Sequence, residues 1–309
     1  MRATIQIFSA RMRRLVVPML LALLPAAPAW AAGRFDAVPR TAVVSAFGPE
    51  LGALERATRH RREYIDGGMR FVTGDLEGKP VVLMLSGVSM VNAAMSAQRA
   101  IDQFRLVRIV FSGVGGGVDP ALHVGDVVVP EQWAEYLEMT FARQTADGFA
   151  RSPEADALPG YGMMSPNPVT VMRRPGTEER RTWFPVDPGL LRAARTAAAD
   201  LPLRRCAGGR CLDAAPRIVV GGDGVSGPAF VDNAAFRRYA FTAFHAEVLD
   251  METAAVAHVA YVDGVPFIAF RSLSDLAGGD PGPNPFQLFV QLAADNSAVA
   301  VRRFLRALP

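Results

Sequence analysis

Residues 248–275 read V-L-D-M-E-T-A-A-V-A-H-V-A-Y-V-D-G-V-P-F-I-A-F-R-S-L-S-D, and this stretch decides the fold. After Glu252, small and apolar residues recur at helical spacing, so a helix is expected to begin there. Asp263-Gly264 ends that helix. The apolar run at 265–270 is typical of a strand buried on both faces. The stretch therefore predicts a strand, a helix and a strand of an α/β sheet.

Three acids stand at the ends of these elements. Asp250 and Glu252 lie at the helix entrance, and Asp275 lies just past the carboxyl end of the following strand. Ligands of open α/β sheets bind at that end of the strands. Acids are also common at helix starts, where the helix dipole favours them. Spacing alone leaves both interpretations open.

The two segments D-M-E-T-A-A-V-A-H-V-A and V-P-F-I-A-F-R-S-L-S-D closely resemble the 5′-methylthioadenosine/S-adenosylhomocysteine nucleosidases of the nucleoside phosphorylase superfamily. The resemblance extends to S-G-V (86–88), to the glycine turn at 113–117 and to V-G-D-V-V-V (124–129). It implies one three-layer α/β/α domain with a central mixed, largely parallel sheet over residues 32–309. Strands are predicted near 41–47, 81–86, 107–112, 124–129, 217–221 and 266–272. Residues 131–186 are predicted to form a long irregular segment that the resemblance does not cover.

Residues 1–31 have the pattern of a secretory signal. Arginines precede the apolar run at 15–24, and Ala29-Trp30-Ala31 fits a small-x-small cleavage site. The apolar run is too short and too rich in proline for a comfortable membrane span. We expect an exported, periplasmic or secreted protein of 278 residues with no stable membrane insertion.

The charge of the chain is concentrated in that signal. The whole sequence has a net charge of +3, and the signal holds four arginines and no acid, so the mature chain would be near −1. No basic cluster with interleaved aromatics stands out, which argues against nucleic-acid binding. The two cysteines, Cys206 and Cys211, predict a local disulfide in an oxidising compartment. They would make a poor metal site because no histidine is nearby.

The resemblance implies a role for each of three carboxyls. Glu50 follows Pro49 at a helix start, where an acid is expected on dipole grounds alone. In the family a glutamate at this place activates the attacking water. Asp275 would donate a proton to purine N7, and Glu252 would hold the ribose hydroxyls with help from Met251. Arg271 would position Glu252.

Further residues are assigned to the substrate pocket by the same resemblance. Val225 would stand where the family stacks an aromatic on the base, and Val114 where nucleosidases carry a small hydroxyl residue. Phe286 would line the pocket for the 5′ substituent, although a core aromatic at a helix start is an equally good interpretation. The remaining residues assigned to the pocket are Phe47, Val88, Gly113 and Ser274.

Water is predicted to be the nucleophile. Phosphorylases of the superfamily use an arginine just before the glycine loop, and this chain has Phe111 there. A phosphate oxyanion needs charge-assisted donors. The expected activity is therefore hydrolysis of a 5′-substituted adenosine to release adenine, without metal or organic cofactor. The alternatives are a phosphate-dependent phosphorylase and a non-catalytic exported nucleoside-binding or storage-like protein. By the same resemblance the molecule is expected to be a homodimer.

Overall fold

The computed structural model describes residues 34–309 apart from 154, 156 and 208. The predicted signal segment, residues 1–31, lies outside the described residues. Among the described residues, none of the helices has the length and apolar character needed to cross a membrane.

The described chain alternates strands and helices. The six helices of this part are α1 (Gly48–Ala57), α2 (Met90–Gln103), α3 (Pro188–Ala198), α4 (Ala234–Phe244), α5 (Thr253–Asp263) and α6 (Phe286–Ala307). Its strands are β1 (Arg40–Ser45), β2 (Arg59–Asp66), β3 (Met69–Leu76), β4 (Lys79–Leu85), β5 (Leu106–Gly117), β6 (Val127–Val129), β7 (Gln132–Glu135), β8 (Met139–Phe141), β9 (Arg143–Thr145), β10 (Gly148–Ala150), β11 (Met164–Pro166), β12 (Val169–Arg174), β13 (Thr177–Arg181), β14 (Trp183–Pro185), β15 (Cys206–Ala207), β16 (Arg210–Cys211), β17 (Ile218–Val220), β18 (Asp223–Ser226), β19 (Ala246–Asp250) and β20 (Phe267–Asp275).

The long strand β5 is the centre of the main sheet. It pairs in parallel with β1 along its first half and with β20 over most of its length, and its last residues pair with β19 in antiparallel. The path of the sheet runs β14-β7-β18-β19-β5-β1-β4-β3-β2, with β20, β6 and β17 branching from β5. On one side, β5 pairs first with β1 and then with β19. On its other side it pairs with β20, so the carboxyl ends of β5, β19 and β20 meet.

Helices cover the sheet and close the core. Helix α6 packs against β5, β20, α1 and α3, while α2 packs against α5. Small residues such as Ala254, Ala257 and Ala260 let α5 approach its neighbours closely, and all nine residues of β20 are buried. This arrangement confirms the predicted three-layer fold with a mixed, largely parallel sheet.

The structure changes several predicted elements. Strand β2 was not predicted, because its sequence R-H-R-R-E-Y-I-D lacks the alternation of apolar and polar residues that marks a half-buried strand. The segment 131–186, predicted to be irregular, contains β7 and β14 of the main sheet and three pairs of short strands. The helix that precedes β19 begins at Ala234, so Phe230 lies in the loop before it.

Candidate active site

A cavity of about 340 Å³ opens where the carboxyl ends of β5, β19 and β20 meet the start of α1. The three carboxyls predicted from two stretches of the sequence face this one space together with Asp250, and apolar side chains form most of the remaining wall. The predicted site residues that line the cavity are Phe47, Glu50, Val88, Val114, Met251, Glu252, Ser274, Asp275 and Phe286.

The buried guanidinium of Arg271 organises one end of the cavity. Its Nε lies 2.7 Å from Asp250 Oδ2. Its Nη1 lies 3.8 Å from Glu50 Oε1, and its Nη2 lies 3.5 Å from Glu252 Oε2. The side chain is completely buried, and its Cζ lies 4.1 Å from the centroid of the Phe111 ring. One cation therefore holds three carboxylates that would otherwise repel one another in a dry environment.

The two acids at the entrance of α5 have different partners. Asp250 accepts hydrogen bonds from the backbone N–H groups of Glu252 and Thr253, both at 3.1 Å, and from the hydroxyls of Ser226 and Thr253. It thus satisfies the start of the helix. Glu252 makes no cap and accepts one hydrogen bond, from Ser89 N–H at 2.8 Å. Both acids line the cavity. The capping interpretation applies to Asp250, and Glu252 is the less hydrogen-bonded carboxyl of the two.

Glu50 is fixed by backbone donors. Its Oε2 accepts from Ala46 N–H at 2.6 Å and Phe47 N–H at 3.4 Å, and its Oε1 accepts from Val114 N–H at 2.8 Å. Burial raises the pKa of Glu50, while Arg271 and the three N–H groups lower it. Burial likewise raises the pKa of Glu252 to about 7, with Arg271 opposing the shift and Asp250 adding to it.

Asp275 lies at the other end of the cavity, over Gly116. Its Oδ1 accepts from Ala277 N–H at 2.9 Å, and the Ser274 hydroxyl donates to its Oδ2 at 2.9 Å. A Cβ on Gly116 would lie 3.1 Å from Asp275 Oδ1, so a larger residue there would crowd the carboxyl. Burial raises the pKa of Asp275, and the Ala277 N–H is the main opposing influence. Among the described residues, no cation forms an ion pair with Asp275.

Three predicted residues do not line the cavity. Arg271 lies behind the wall, in the network described above. Gly113 lies beneath it, where a Cβ would meet Arg271 Nη1 at 2.1 Å and Glu50 Oε1 at 2.7 Å. Val225 is completely buried in a separate apolar cluster with Tyr136 and Phe244. The absence of a side chain at Gly113 therefore leaves room for the ion pair between Arg271 and Glu50. Val225 belongs to the core.

Phe230 is the aromatic residue of the cavity wall that the sequence did not identify. It lines the wall beside Ala229 and Val231 and is 57% exposed, and its ring is T-shaped to Phe286 at 5.5 Å. Its signal in the sequence was G-P-A-F at 227–230, five residues beyond the valine chosen for the aromatic position. A loop has no hydrophobic periodicity, so the sequence pattern could not show that the aromatic lies five residues further along the chain.

The valine at position 114 contributes through its backbone. Its N–H donates to Glu50, and its carbonyl accepts from Arg271 Nη1 at 3.1 Å. Its side chain packs at the apolar side of the cavity with Ala293 and Ala294. Since the backbone makes the polar contacts, a side-chain hydroxyl at this position is not needed to hold Glu50.

The cysteines lie outside this site. Cys206 and Cys211 are joined by a disulfide across the two-stranded ladder β15–β16. Within the described ranges, no group of three or more His, Cys, Asp or Glu residues has the geometry of a metal site.

Comparisons with known proteins agree with this geometry. The family model of the phosphorylase superfamily matches residues 40–306. A 5′-methylthioadenosine/S-adenosylhomocysteine nucleosidase from Geobacillus thermodenitrificans is 32% identical over 86% of this chain and 96% of the relative. The crystal structure of the same kind of nucleosidase from Neisseria meningitidis, in complex with methylthio-immucillin-A, has a TM-score of 0.65 and 26% identity, covering 88% of this chain and 100% of that chain. Futalosine hydrolase from Helicobacter pylori, with a TM-score of 0.64 and 20% identity over 88% and 99% of the two chains, shows the shared fold alone.

The fold and the cavity thus define a member of the phosphorylase superfamily. Within that superfamily the chain belongs to the 5′-methylthioadenosine/S-adenosylhomocysteine nucleosidase family, whose members are N-glycosyl hydrolases.

Proposed function

We propose that this protein hydrolyses the N-glycosidic bond of a 5′-substituted adenosine and releases free adenine. The observation that carries the proposal is the different environment of the carboxyls in one cavity. Glu50 and Glu252 lie beside the Arg271 guanidinium, whereas Asp275 is buried without a cation among the described residues. Two titratable environments in one site are the usual basis for separate acid and base roles.

The chemistry needs an acid on the purine side. As the glycosidic bond breaks, negative charge develops on the purine ring, and a carboxylic acid beside N7 can donate a proton to it. Burial raises the pKa of Asp275, which favours the protonated form that such a donor requires. Its hydrogen bonds from Ala277 and Ser274 would fix the carboxyl plane.

The other end of the cavity suits the sugar and the water. Glu50, held by three N–H groups, would accept a proton from the water that attacks the anomeric carbon. Glu252 would accept hydrogen bonds from the ribose hydroxyls, and its negative charge would stabilise the oxocarbenium-like sugar. Arg271 would favour the ionised form of both carboxyls, against the effect of burial.

Water is favoured over phosphate as the nucleophile. Among the described residues that line the cavity there is no Arg, Lys or His, and the guanidinium of Arg271 behind Glu50 and Glu252 is already paired with three carboxylates. A phosphate dianion beside Glu50 and Glu252 would meet negative charge. Arg271 Nη2, which makes no hydrogen bond to the described residues, is buried 3.5 Å from Glu252 Oε2 and is already compensated by that carboxyl. Hydrolysis is therefore favoured over phosphorolysis.

The apolar wall favours a substrate with an apolar 5′ group. Phe47, Phe286 and Val114 form one cluster at this wall, and Phe230 packs edge-on against Phe286. Aromatic surfaces of this kind suit a thioether substituent. The names of the relatives point to methylthioadenosine and S-adenosylhomocysteine as the first substrates to test.

The test is product analysis with and without phosphate. The purified protein is expected to convert methylthioadenosine to adenine and free sugar at the same rate in both buffers. Glu50→Gln should lower turnover roughly 10²–10⁴-fold, because the water loses its base. Glu247→Gln is a matched control, since Glu247 is a part-buried carboxyl whose pKa is also raised to about 7 but which does not line the cavity.

Two results would contradict the proposal. A requirement for phosphate with a sugar phosphate as product would identify a phosphorylase. Adenine binding in the cavity without turnover of any adenosine substrate would favour the non-catalytic alternative.

We further propose that the protein acts as a homodimer. Exposed aromatics in the segment 131–186, Phe141 at 64% and Phe149 at 52%, support this proposal, as do Val91 and Met95 on the outer face of α2. Surfaces of this composition commonly mark protein contacts. Sedimentation at micromolar concentration should give a dimer, and a monomer alone would contradict this.

Export to an oxidising compartment is proposed as well. The signal-like pattern of residues 1–31 and the disulfide between Cys206 and Cys211 support it together. Mass spectrometry of the native protein should find Ala32 at the N-terminus and the two cysteines linked. A retained Met1 with two free thiols would refute the proposal.

A further inference from the structure

The Asp275 carboxyl depends on a backbone conformation that the chain does not adopt freely. Its Oδ1 accepts from the N–H of Ala277, and Ala277 has a φ of +53°. A non-glycine residue in this region is strained and persists only where its surroundings hold it. Ala277 is completely buried, so neighbouring elements must supply that restraint.

The start of α4 meets the loop that follows Asp275. Asn233 N–H donates to the Ala277 carbonyl at 3.1 Å. Gly278 packs so closely on this helix start that a Cβ there would lie 2.2 Å from the Asn233 nitrogen. Within the loop, Leu276 N–H donates to Asp280 Oδ2 at 2.9 Å. The loop 276–280 is therefore held both by its own aspartate and by α4.

One side chain of α4 joins this loop to the opposite wall. Arg237 Nε donates to the Gly117 carbonyl at 2.9 Å, at the end of β5, and Nη2 donates to the Asp119 carbonyl at 3.3 Å. On its other side the guanidinium lies against Gly279, where a Cβ would be 2.4 Å from Nη1. Burial lowers the pKa of Arg237, and the charges of Asp280 and Asp119 oppose that shift. Arg237 thus contacts both the end of β5 and the loop 276–280 from outside the cavity.

We propose that Arg237 is a positioning residue that clamps the loop 276–280 to the end of β5 and so holds the Asp275 carboxyl over Gly116. This inference rests on the proposed proton-donor role of Asp275. The clamp keeps the carboxyl in place and keeps water away from it. A loosened loop would move the donor away from the purine nitrogen and let water reach it.

The experiment compares three variants of the full protein. Arg237→Met keeps the length of the side chain and removes its donors and charge. Arg237→Lys keeps the charge and a single donor group. Arg238→Met is the matched control, because Arg238 is the next residue of the same helix and is exposed. Each variant is tested for adenine release from methylthioadenosine across pH and for amide hydrogen exchange in peptides that span 273–289.

The methionine variant should lose roughly 10-fold or more in kcat with a smaller change in KM, because a displaced catalytic group costs turnover. The charge of Asp280 raises the pKa of Asp275 and is present in every variant. Better hydration should lower the pKa of Asp275, so the decline of kcat at high pH should begin at a lower pH. Exchange should speed up at the amides of Leu276, Ala277 and Gly279, which are hydrogen-bonded in the wild type. Lysine should restore part of both effects, and Arg238→Met should match the wild type.

Hydrogen exchange also separates this inference from the proposed function. If the wild type releases no adenine, the proposed function fails, and faster exchange confined to 273–289 in Arg237→Met would still show the clamp. Unchanged exchange in that peptide would overturn the clamp whatever the activity. Faster exchange throughout the chain with an unshifted pH profile would show general destabilisation and would also overturn it.

Discussion

At one end of the cavity Glu50 and Glu252 share the buried guanidinium of Arg271, whereas at the other end Asp275 meets only neutral donors among the described residues, those of Ala277, Ser274 and Asn284. Both ends are dry, and burial raises the pKa of all three carboxyls. The difference is the cation. It opposes the effect of burial at the first end, and no described cation pairs with the carboxyl at the second.

The contrast teaches that burial alone does not assign a role to a carboxyl. Desolvation favours the neutral form of every acid in the cavity, and the position of one arginine decides at which of them a positive charge opposes that effect. The proposed base and ribose-binding acids lie within reach of Arg271, and the proposed proton donor lies beyond it. Substitution of Asp275 or of Arg271 should therefore have measurable effects.

The largest expected effect comes from the end without a cation. Asp275→Asn keeps the shape of the side chain and removes the acidic proton, so kcat for adenine release should fall roughly 10²–10⁴-fold. The measurement is steady-state release of adenine from methylthioadenosine. Asp200→Asn, in the exposed turn after α3, is the control and should keep wild-type turnover. An Asp275→Asn variant with wild-type turnover would remove the proton-donor role.

The next effect tests the shared cation. Arg271→Met leaves Asp250, Glu50 and Glu252 buried together without a counter-charge, and breaking a buried ion pair in this way costs about 3–5 kcal/mol. The free energy of unfolding, measured by urea denaturation at pH 7, should fall by that amount. Arg204→Met is the control, since Arg204 forms an ion pair with Asp295 while its side chain is 66% exposed. Equal losses of unfolding free energy in the two variants would show that the Arg271 network stabilises the protein no more than an exposed ion pair does.

A smaller effect should appear in the pH dependence of stability. The folded-state pKa of Glu252 is about 7 and its ordinary value is 4.5, so between these values the folded chain binds more protons than the unfolded chain. Unfolding free energy should therefore fall as pH rises from 4.5 through 7. Glu252→Gln removes that slope, and its stability relative to the wild type should improve by about 1–3 kcal/mol between pH 5 and pH 8. A constant difference between the two proteins across this range would contradict the raised pKa.

Local pattern was enough to predict much of the fold. The strand, helix and strand of residues 248–275 correspond to β19, α5 and β20, because buried parallel strands and close-packed helices leave strong apolar periodicities. Strand β2 left no such signal. It is an exposed edge strand rich in arginine, held by pairing with β3.

The residues of the candidate site also differ in whether the sequence could identify them. Glu50, Glu252 and Asp275 could be selected because each follows a recognisable strand or opens a recognisable helix, within motifs that resemble a known family. Phe230 could not, since its position depends on the path of the loop between β18 and α4. Arg237 could not either, because its partners are the carbonyls of Gly117 and Asp119, more than a hundred residues away in the chain.

The sequence by itself determined the order of the elements and the types of residue at the strand ends, because hydrophobic periodicity and turn chemistry act over short stretches of chain. Only the tertiary structure decided which acid caps α5 and which carboxyls share Arg271. Those outcomes depend on the branching of the sheet at β5, which brings the ends of β19 and β20 together. Electrostatic roles follow from distances of a few ångströms between groups far apart in sequence, and such distances exist only once the chain has folded.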